Sequence, residues 1–344
     1  MSDIKFFKYK NRFTLESGVV LPEVEVAYST YGTLNARRSN IIWVCHALTA
    51  NSCVEDWWEK AVRKDNFLDP ERYFIVCANV LGSHYGTTGP LSVNPMTEER
   101  YYKSFPRFTI RDMVSCHILL AEYLGIKSVD MLVGGSIGGF QILEWLIMQP
   151  TFAKKAALIA TTAQTEPWAI AFNESQRMAI ECDPTFYMKS SIGGAKGLEC
   201  ARSIAMLSYR CNDGYNLTQK ESEDEPSRLK DFRASSYQRY QGEKLASRFN
   251  AFSYYRLTQA IDSHNIGRGR NGVEKALSQI KAKCAIIAIS SDILYPVESH
   301  TIMHKYIKNS SLHIIDSKFG HDGFLIEHDQ LEAIVRTLQN RGDL

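Results

Sequence analysis

A chain of 344 residues, 44% hydrophobic and 23% charged, can bury about three-quarters of the surface its unfolded form exposes, and so needs no disulfide or metal to hold a core. Those proportions exclude wholesale disorder. A formal net charge of +2, from 40 basic and 38 acidic residues, leaves no global field for nucleic acid or an acidic membrane surface.

The opening Met1-Ser2-Asp3-Ile4-Lys5 lacks a basic start followed by an apolar run, so we expect no secretion signal. From Lys5 to Tyr31 the chain is β-rich and broken by Gly18 and Pro22, which predicts an antiparallel sheet edge. Near-continuous apolar runs follow at Ile41–Cys45, Tyr73–Cys77, Val129–Val133 and Ala156–Ala160, with an apolar helical segment from Phe140 to Met148. Such runs predict parallel strands whose two faces are both covered by helices. From about Thr165 to Gly272 the strand signal disappears and a polar helical pattern takes over. Its acidic run Glu221-Ser222-Glu223-Asp224-Glu225 reads as a solvated loop. Strands return at Cys284–Ile289 and Leu312–Ile315. The prediction is therefore one mostly parallel sheet with helices on both faces, its core at 1–164 and 276–344, and a helical insertion at 165–275.

Eight cysteines are scattered with no Cys-x-x-Cys pair, several inside strand-like runs. They read as buried reduced thiols of a cytoplasmic protein, with neither a disulfide framework nor a metal site. No run approaches the roughly 18 uncharged apolar residues of a membrane span.

Gly134-Gly135-Ser136-Ile137-Gly138 fits G-x-S-x-G, a weak motif that gains force from its place between a strand and a helix. A serine on that tight turn needs small residues two before and two after, and Gly134 and Gly138 supply them. A serine hydroxyl is a poor nucleophile alone and needs a base held by a carboxylate. In a sheet of this kind the carboxylate and then the histidine should follow late strands. Asp292 follows the Cys284–Ile289 run, and His321 follows Leu312–Ile315. His313 lies inside a strand and reads as a core or edge residue. His300 and His304 have an i, i+4 spacing compatible with a metal, but Thr301 stands where a His-Glu-x-x-His motif needs its glutamate, so they read as a solvated helix face. Asp322 adjoins His321 too closely to orient its ring. An oxyanion needs two N–H donors, assigned here to Ile137 and, from His46-Ala47-Leu48-Thr49, to Leu48. His46 itself reads as packing or support.

Several strings beyond the elbow point further. They include Asn79-Val80-Leu81-Gly82, Gly86-Thr87-Thr88-Gly89-Pro90, Thr109-Ile110-Arg111-Asp112 and the extension Gly139-Phe140-Gln141 with Leu143-Glu144-Trp145. Tyr209-Arg210, Tyr240-Gln241-Gly242-Glu243-Lys244, Gly267-Arg268-Gly269-Arg270 and Gly320-His321-Asp322-Gly323-Phe324-Leu325 complete the set. In this combination, which spans most of the chain, the sequence resembles the homoserine O-acetyltransferase family of methionine biosynthesis. The resemblance implies an α/β-hydrolase fold with a helical lid. It makes Ser136 the nucleophile, Asp292 the orienter and His321 the base, with Leu48 and Ile137 at the oxyanion positions. It further assigns Arg210 to the carboxylate of the amino acid and Asp322 to its ammonium group. Acetyl-CoA enters as co-substrate with no bound cofactor or metal. The implied partners are small molecules, acyl-CoA and homoserine, with no nucleic acid and no membrane, and the implied assembly is a homodimer through the lid.

The chain departs from the family pattern in places. Ile137 stands where methionine is common, Arg248-Phe249-Asn250 where Arg-Phe-Asp is usual, Phe252-Ser253-Tyr254 where Asn-Ser-Tyr is usual, and Ala50-Asn51-Ser52 after Thr49 in place of Gly-Asp. Other functions compatible with the same three side chains are hydrolysis of small acetyl esters, transfer from succinyl-CoA, transfer to serine, or a catalytically silent binding scaffold. Gly267–Arg270 is a candidate for the CoA phosphates but reads better as a linker.

Overall fold

Runs such as Ile41–Cys45 have no wet face, and the computed structural model, described for residues 3–58, 60–221 and 228–340, covers both sides of the sheet they form. The strands are β1 (Lys5–Tyr9), β2 (Phe13–Thr14), β3 (Val20–Leu21), β4 (Val24–Tyr31), β5 (Ile41–Cys45), β6 (Phe74–Ala78), β7 (Val129–Gly135), β8 (Ala153–Ile159), β9 (Lys283–Ile289) and β10 (Ser310–Ile315). Eight of them make one sheet in the order β1-β4-β6-β5-β7-β8-β9-β10, and β2 and β3 form a separate ribbon. Only β4 runs against its neighbours β1 and β6, so the predicted antiparallel edge and parallel centre are both present.

Side chains alternate across the central strands and both sets are apolar. Trp43, flanked by Val76 and Leu132, faces α1 (Ile110–Tyr123) and α2 (Ile137–Met148). Its neighbours Ile42 and Val44 face the opposite layer, which contains Trp58, Phe67 and the last helix, α11 (His328–Asn340). The start of α1 is fixed by a capping box in which Thr109 and Asp112 bond each other's backbone amides. Asp112 also accepts the Glu16 amide at 2.7 Å, which ties the β2–β3 ribbon to the core.

Between β8 and β9 the described residues make a helical excursion. It comprises α3 (Pro167–Glu181), α4 (Ala195–Tyr209), α5 (Asn212–Gln219), α6 (Arg233–Ala246) and α7 (Ala251–Asp262). Proline at the first position opens α3, and the Asn250 side chain caps α7 through the Ser253 amide at 2.8 Å. The chain then returns through α8 (Val273–Leu277), which packs on α2 and on α9 (Val297–Tyr306). A short α10 (Gly323–Ile326) precedes α11. Residues 222–225 of the acidic run lie outside the described residues.

Two readings from the sequence are corrected here. His300 is fully buried, not on a wet helix face. Its Nδ1 donates to the Pro296 carbonyl at 3.0 Å, and its Nε2 accepts the Thr161 amide at 3.0 Å. His304 on the same helix is exposed and meets Ser310 Oγ at 2.9 Å. The cysteines are all free thiols, but Cys182 and Cys200 are exposed on the excursion. Among the described residues no helix is long and apolar enough to cross a membrane, and no group of three metal-ligating side chains converges.

Candidate active site

β7 ends at Gly135 and α2 begins at Ile137, so Ser136 must turn the chain in one residue. It does so with φ 58° and ψ −126°, a left-handed conformation that costs a non-glycine residue about 1–3 kcal/mol. The strain leaves Ser136 half-exposed at the carboxyl end of the sheet. The turn fits only because Gly138 carries no side chain: a Cβ there would stand 2.2 Å from the Cys45 carbonyl at the end of β5. Gly138→Ala is therefore expected to destabilise the protein by about 3 kcal/mol, because a backbone atom cannot move aside cheaply. Urea unfolding of the variant checks this.

Ile137 is the first residue of α2, so its amide has no acceptor within the helix and lies at the positive end of the dipole. Leu48 lies three residues beyond β5, on the loop beside the elbow. One buried side chain joins the two segments: Gln141 Nε2 donates to the carbonyls of His46 at 3.3 Å and Ile137 at 3.2 Å. No motif in the sequence marks Gln141 by itself. Its signal was a lone amide inside the apolar run Phe140-Gln141-Ile142-Leu143. His46 is buried and supports the same loop, as expected of a non-catalytic residue. Burial pushes it down to about 4 against its hydrogen bond to Ala47, so its ring is neutral.

β7, β9 and β10 are parallel neighbours across β8, so the loops that follow them leave from one edge of the sheet. Asp292 lies three residues past β9, and His321 follows β10. The two meet: Asp292 Oδ2 accepts from His321 Nδ1 at 2.7 Å, and both are buried. The other carboxylate oxygen accepts the amides of Leu294 at 2.8 Å and Tyr295 at 3.0 Å, which fixes its orientation. With Nδ1 committed, Nε2 is the ring nitrogen free for proton transfer. Tyr209, Tyr295 and Phe324 wall the imidazole at 5.8, 5.2 and 5.7 Å between ring centres. Phe324 also lies against Gly135, where an added Cβ would come within 2.6 Å of it, so the imidazole and the serine turn share one wall.

Burial opposes charging of His321, but the Asp292 carboxylate, its hydrogen bond and the charge of Asp322 outweigh it and raise the imidazole above 6.5. A base must be neutral to accept a proton, so the acid limb of kcat/KM should lie above pH 6.5. Asp322→Asn should move that limb downward. A pH profile with a small acetyl ester, which carries no ammonium group, reads His321 without disturbing substrate charge.

Arg210 and Asp322 are brought together. Nη1 stands 2.8 Å from Asp322 Oδ2, and Nη2 donates to the Tyr237 hydroxyl at 3.3 Å. Arg210 ends α4, and its backbone rests on Gly320, where a Cβ would stand 2.6 Å from the Arg210 carbonyl carbon. The helical excursion thus sits directly on the histidine loop. Arg268 and Arg270 are engaged elsewhere, with Glu16 at 2.9 Å and the buried Glu144 at 2.6 Å. That pairing suits a linker pinned to α2. His313 lies half-buried on the edge strand β10, with Nε2 at 2.9 Å from Ser311 Oγ.

A strained serine between a parallel strand and a helix, with a carboxylate–imidazole pair two and three strands away, defines the α/β-hydrolase fold class, and the family of that description matches residues 40–328. Over 340 residues the chain is 45% identical to homoserine O-acetyltransferase of Cyclobacterium marinum, an alignment that covers 98% of this chain and 96% of that one. The crystal structure of homoserine O-acetyltransferase from Bacillus anthracis matches with a TM-score of 0.89 at 25% identity over 99% of each chain. The structure of the acetyl esterase MekB matches at 0.85 and 27% identity, over 98% of this chain and 96% of that one. The chain belongs to the homoserine O-acetyltransferase family.

Proposed function

We propose that this protein moves an acetyl group from acetyl-CoA to the hydroxyl of L-homoserine through an acetyl-Ser136 intermediate. The observation that carries the reading is the buried Asp292–His321 pair, which shares the Phe324 ring with the strained Ser136 turn, with Asp322 directly after His321 and paired to Arg210. His321 Nε2 takes the Ser136 proton as Oγ attacks the thioester carbon. The amides of Ile137 and Leu48 receive the oxyanion. The carbon–sulfur bond breaks, the proton passes from His321 to the departing CoA sulfur, and Ser136 keeps the acetyl group. Homoserine then gives its hydroxyl proton to His321 and attacks the acyl carbon. Collapse of the second intermediate returns the proton to Ser136 and releases O-acetylhomoserine. The guanidinium of Arg210 suits the amino-acid carboxylate and Asp322 its ammonium group. These steps draw on no metal or bound cofactor.

Water is the competing acceptor. At about 55 M it exceeds a sub-millimolar amino acid by roughly 10⁵, so transfer requires a preference of about 7 kcal/mol for homoserine. Seating of the acceptor at Arg210 and Asp322, and water exclusion by α4 to α7 acting as a lid, would supply it. The likeness to MekB favours acetyl-ester hydrolysis as the second reading. CoA release from acetyl-CoA and succinyl-CoA, each with and without homoserine or serine, decides among them. Transfer predicts release that rises strongly with homoserine and only with the acetyl donor. Rapid ester turnover indifferent to homoserine overturns it. The same reading carries a cytoplasmic homodimer assembled through the excursion, where Ile192, Leu207 and Leu217 are exposed.

A further inference from the structure

The loop that presents the Leu48 amide is anchored from two directions. From the core, His46 Nε2 accepts the Val80 amide at 3.1 Å and its Nδ1 donates to the Ala47 carbonyl at 2.8 Å, while Gln141 holds the His46 carbonyl. From the excursion, Arg248 Nη1 donates to the Thr49 carbonyl at 2.7 Å and reaches the Tyr85 hydroxyl at 2.5 Å. Thr49 directly follows Leu48.

Arg248 leads three consecutive residues between α6 and α7 that dock into the core. Phe249 is buried against His84 and Tyr85, at 5.6 and 5.7 Å between ring centres, and Asn250 Nδ2 donates to His84 Nδ1 at 2.8 Å. An aspartate at position 250 could cap α7 but could not donate to His84. The Arg248 side chain is itself exposed, so its removal leaves no buried charge unpaired, and Phe249 and Asn250 still seat the junction. What its removal loses is the hold on the Thr49 carbonyl in the oxyanion loop and the bond to the Tyr85 hydroxyl beside it.

We propose that Arg248 is a positioning residue for the oxyanion hole, setting the Leu48 amide through Thr49 so that the hole is complete only when the α6–α7 junction is seated. The inference rests on Leu48 as an oxyanion donor. Both half-reactions pass through a tetrahedral oxyanion, so loss of the hold slows both together. Small displacements of a catalytic donor cost about 10- to 100-fold in rate.

The test measures acetylation of Ser136 by acetyl-CoA and deacetylation by homoserine separately, by rapid quench and intact mass, in Arg248→Met, Arg248→Lys and a protein with the Leu48 amide replaced by an ester. The ester removes the N–H and keeps the side chain. Expected are falls of about 10- to 100-fold in both rate constants for Arg248→Met, with both KM values within about threefold and the thermal midpoint unchanged. Arg248→Lys, which keeps a donor within reach of Thr49, should recover most of the rate. If Arg248→Met is normal while the ester is slow, the positioning role falls and the oxyanion assignment stands. If the ester itself is normal, the assignment of Leu48 falls and the positioning role with it. A variant whose only change is faster loss of acetyl to water makes Arg248 a water seal and overturns the proposal.

Discussion

Ser136→Ala should lower acetyl transfer by about four orders of magnitude or more and abolish the acetyl adduct seen by intact mass after acetyl-CoA is added. The size follows from the chemistry: without Oγ there is no covalent intermediate, and the Asp292–His321 pair and oxyanion amides can act only on a direct encounter between donor and acceptor. The substitution leaves the 2.7 Å Asp292–His321 hydrogen bond untouched, so the fold and substrate affinity should persist. Ser136→Gly, equally inactive, relieves the positive φ of 58° and should unfold at a higher temperature than Ser136→Ala. An adduct that survives in Ser136→Ala would place the nucleophile elsewhere and sink the mechanism.

Acid should unfold the protein between about pH 6.5 and 4. Four histidines are buried outside the reacting pair: His46, His117, His264 and His300. Burial pushes His46 down to about 4 and His117 and His264 to about 3, and lowers His300. The unfolded chain binds these protons near 6.5 and the native chain does not, so the stability they confer is complete above 6.5 and is lost as pH falls toward the native values. At pH 4 His46, His117 and His264 cost roughly 3 kcal/mol apiece, and the three together rival the whole stability of a typical domain, about 5–15 kcal/mol. His321 works in the opposite sense: its raised value adds stability below 6.5 that is lost as pH rises through it, one group against four. Thermal midpoints measured from pH 7.5 to 4 should fall steeply, and His117→Phe, between Trp43 and Trp145, should flatten the slope. A level profile would mean these rings are hydrated or charged in the native state.

The central strands were legible because burial on both faces forces unbroken apolar runs, as in Ile41–Cys45. The start of β8 was hidden: Lys154 and Lys155 interrupt the pattern, yet the Lys155 ammonium bonds the Gln339 carbonyl at 2.6 Å and lies 3.6 Å from Asp130. The long stem of lysine can follow a strand inward while its head finds a polar partner. Asp292 and His321 could be placed because serine chemistry demands a carboxylate and an imidazole after late strands. His300 could not, since the Thr161 amide that satisfies it is 139 positions away in the chain. Gln141 and Arg248 escape for the same reason: each acts on a main-chain carbonyl 95 or 199 residues distant, and no local pattern announces such a contact.

Arg210 and Asp322 form an ion pair at 2.8 Å, both side chains about four-fifths shielded from water. A guest bearing a single charge would claim one of them and leave the other widowed in a half-dry recess. Only a zwitterion would replace both partners at once. If the acceptor seats here as proposed, the couple would act as a doorkeeper, turning away amines and carboxylic acids by what they fail to replace, whatever the width of the opening.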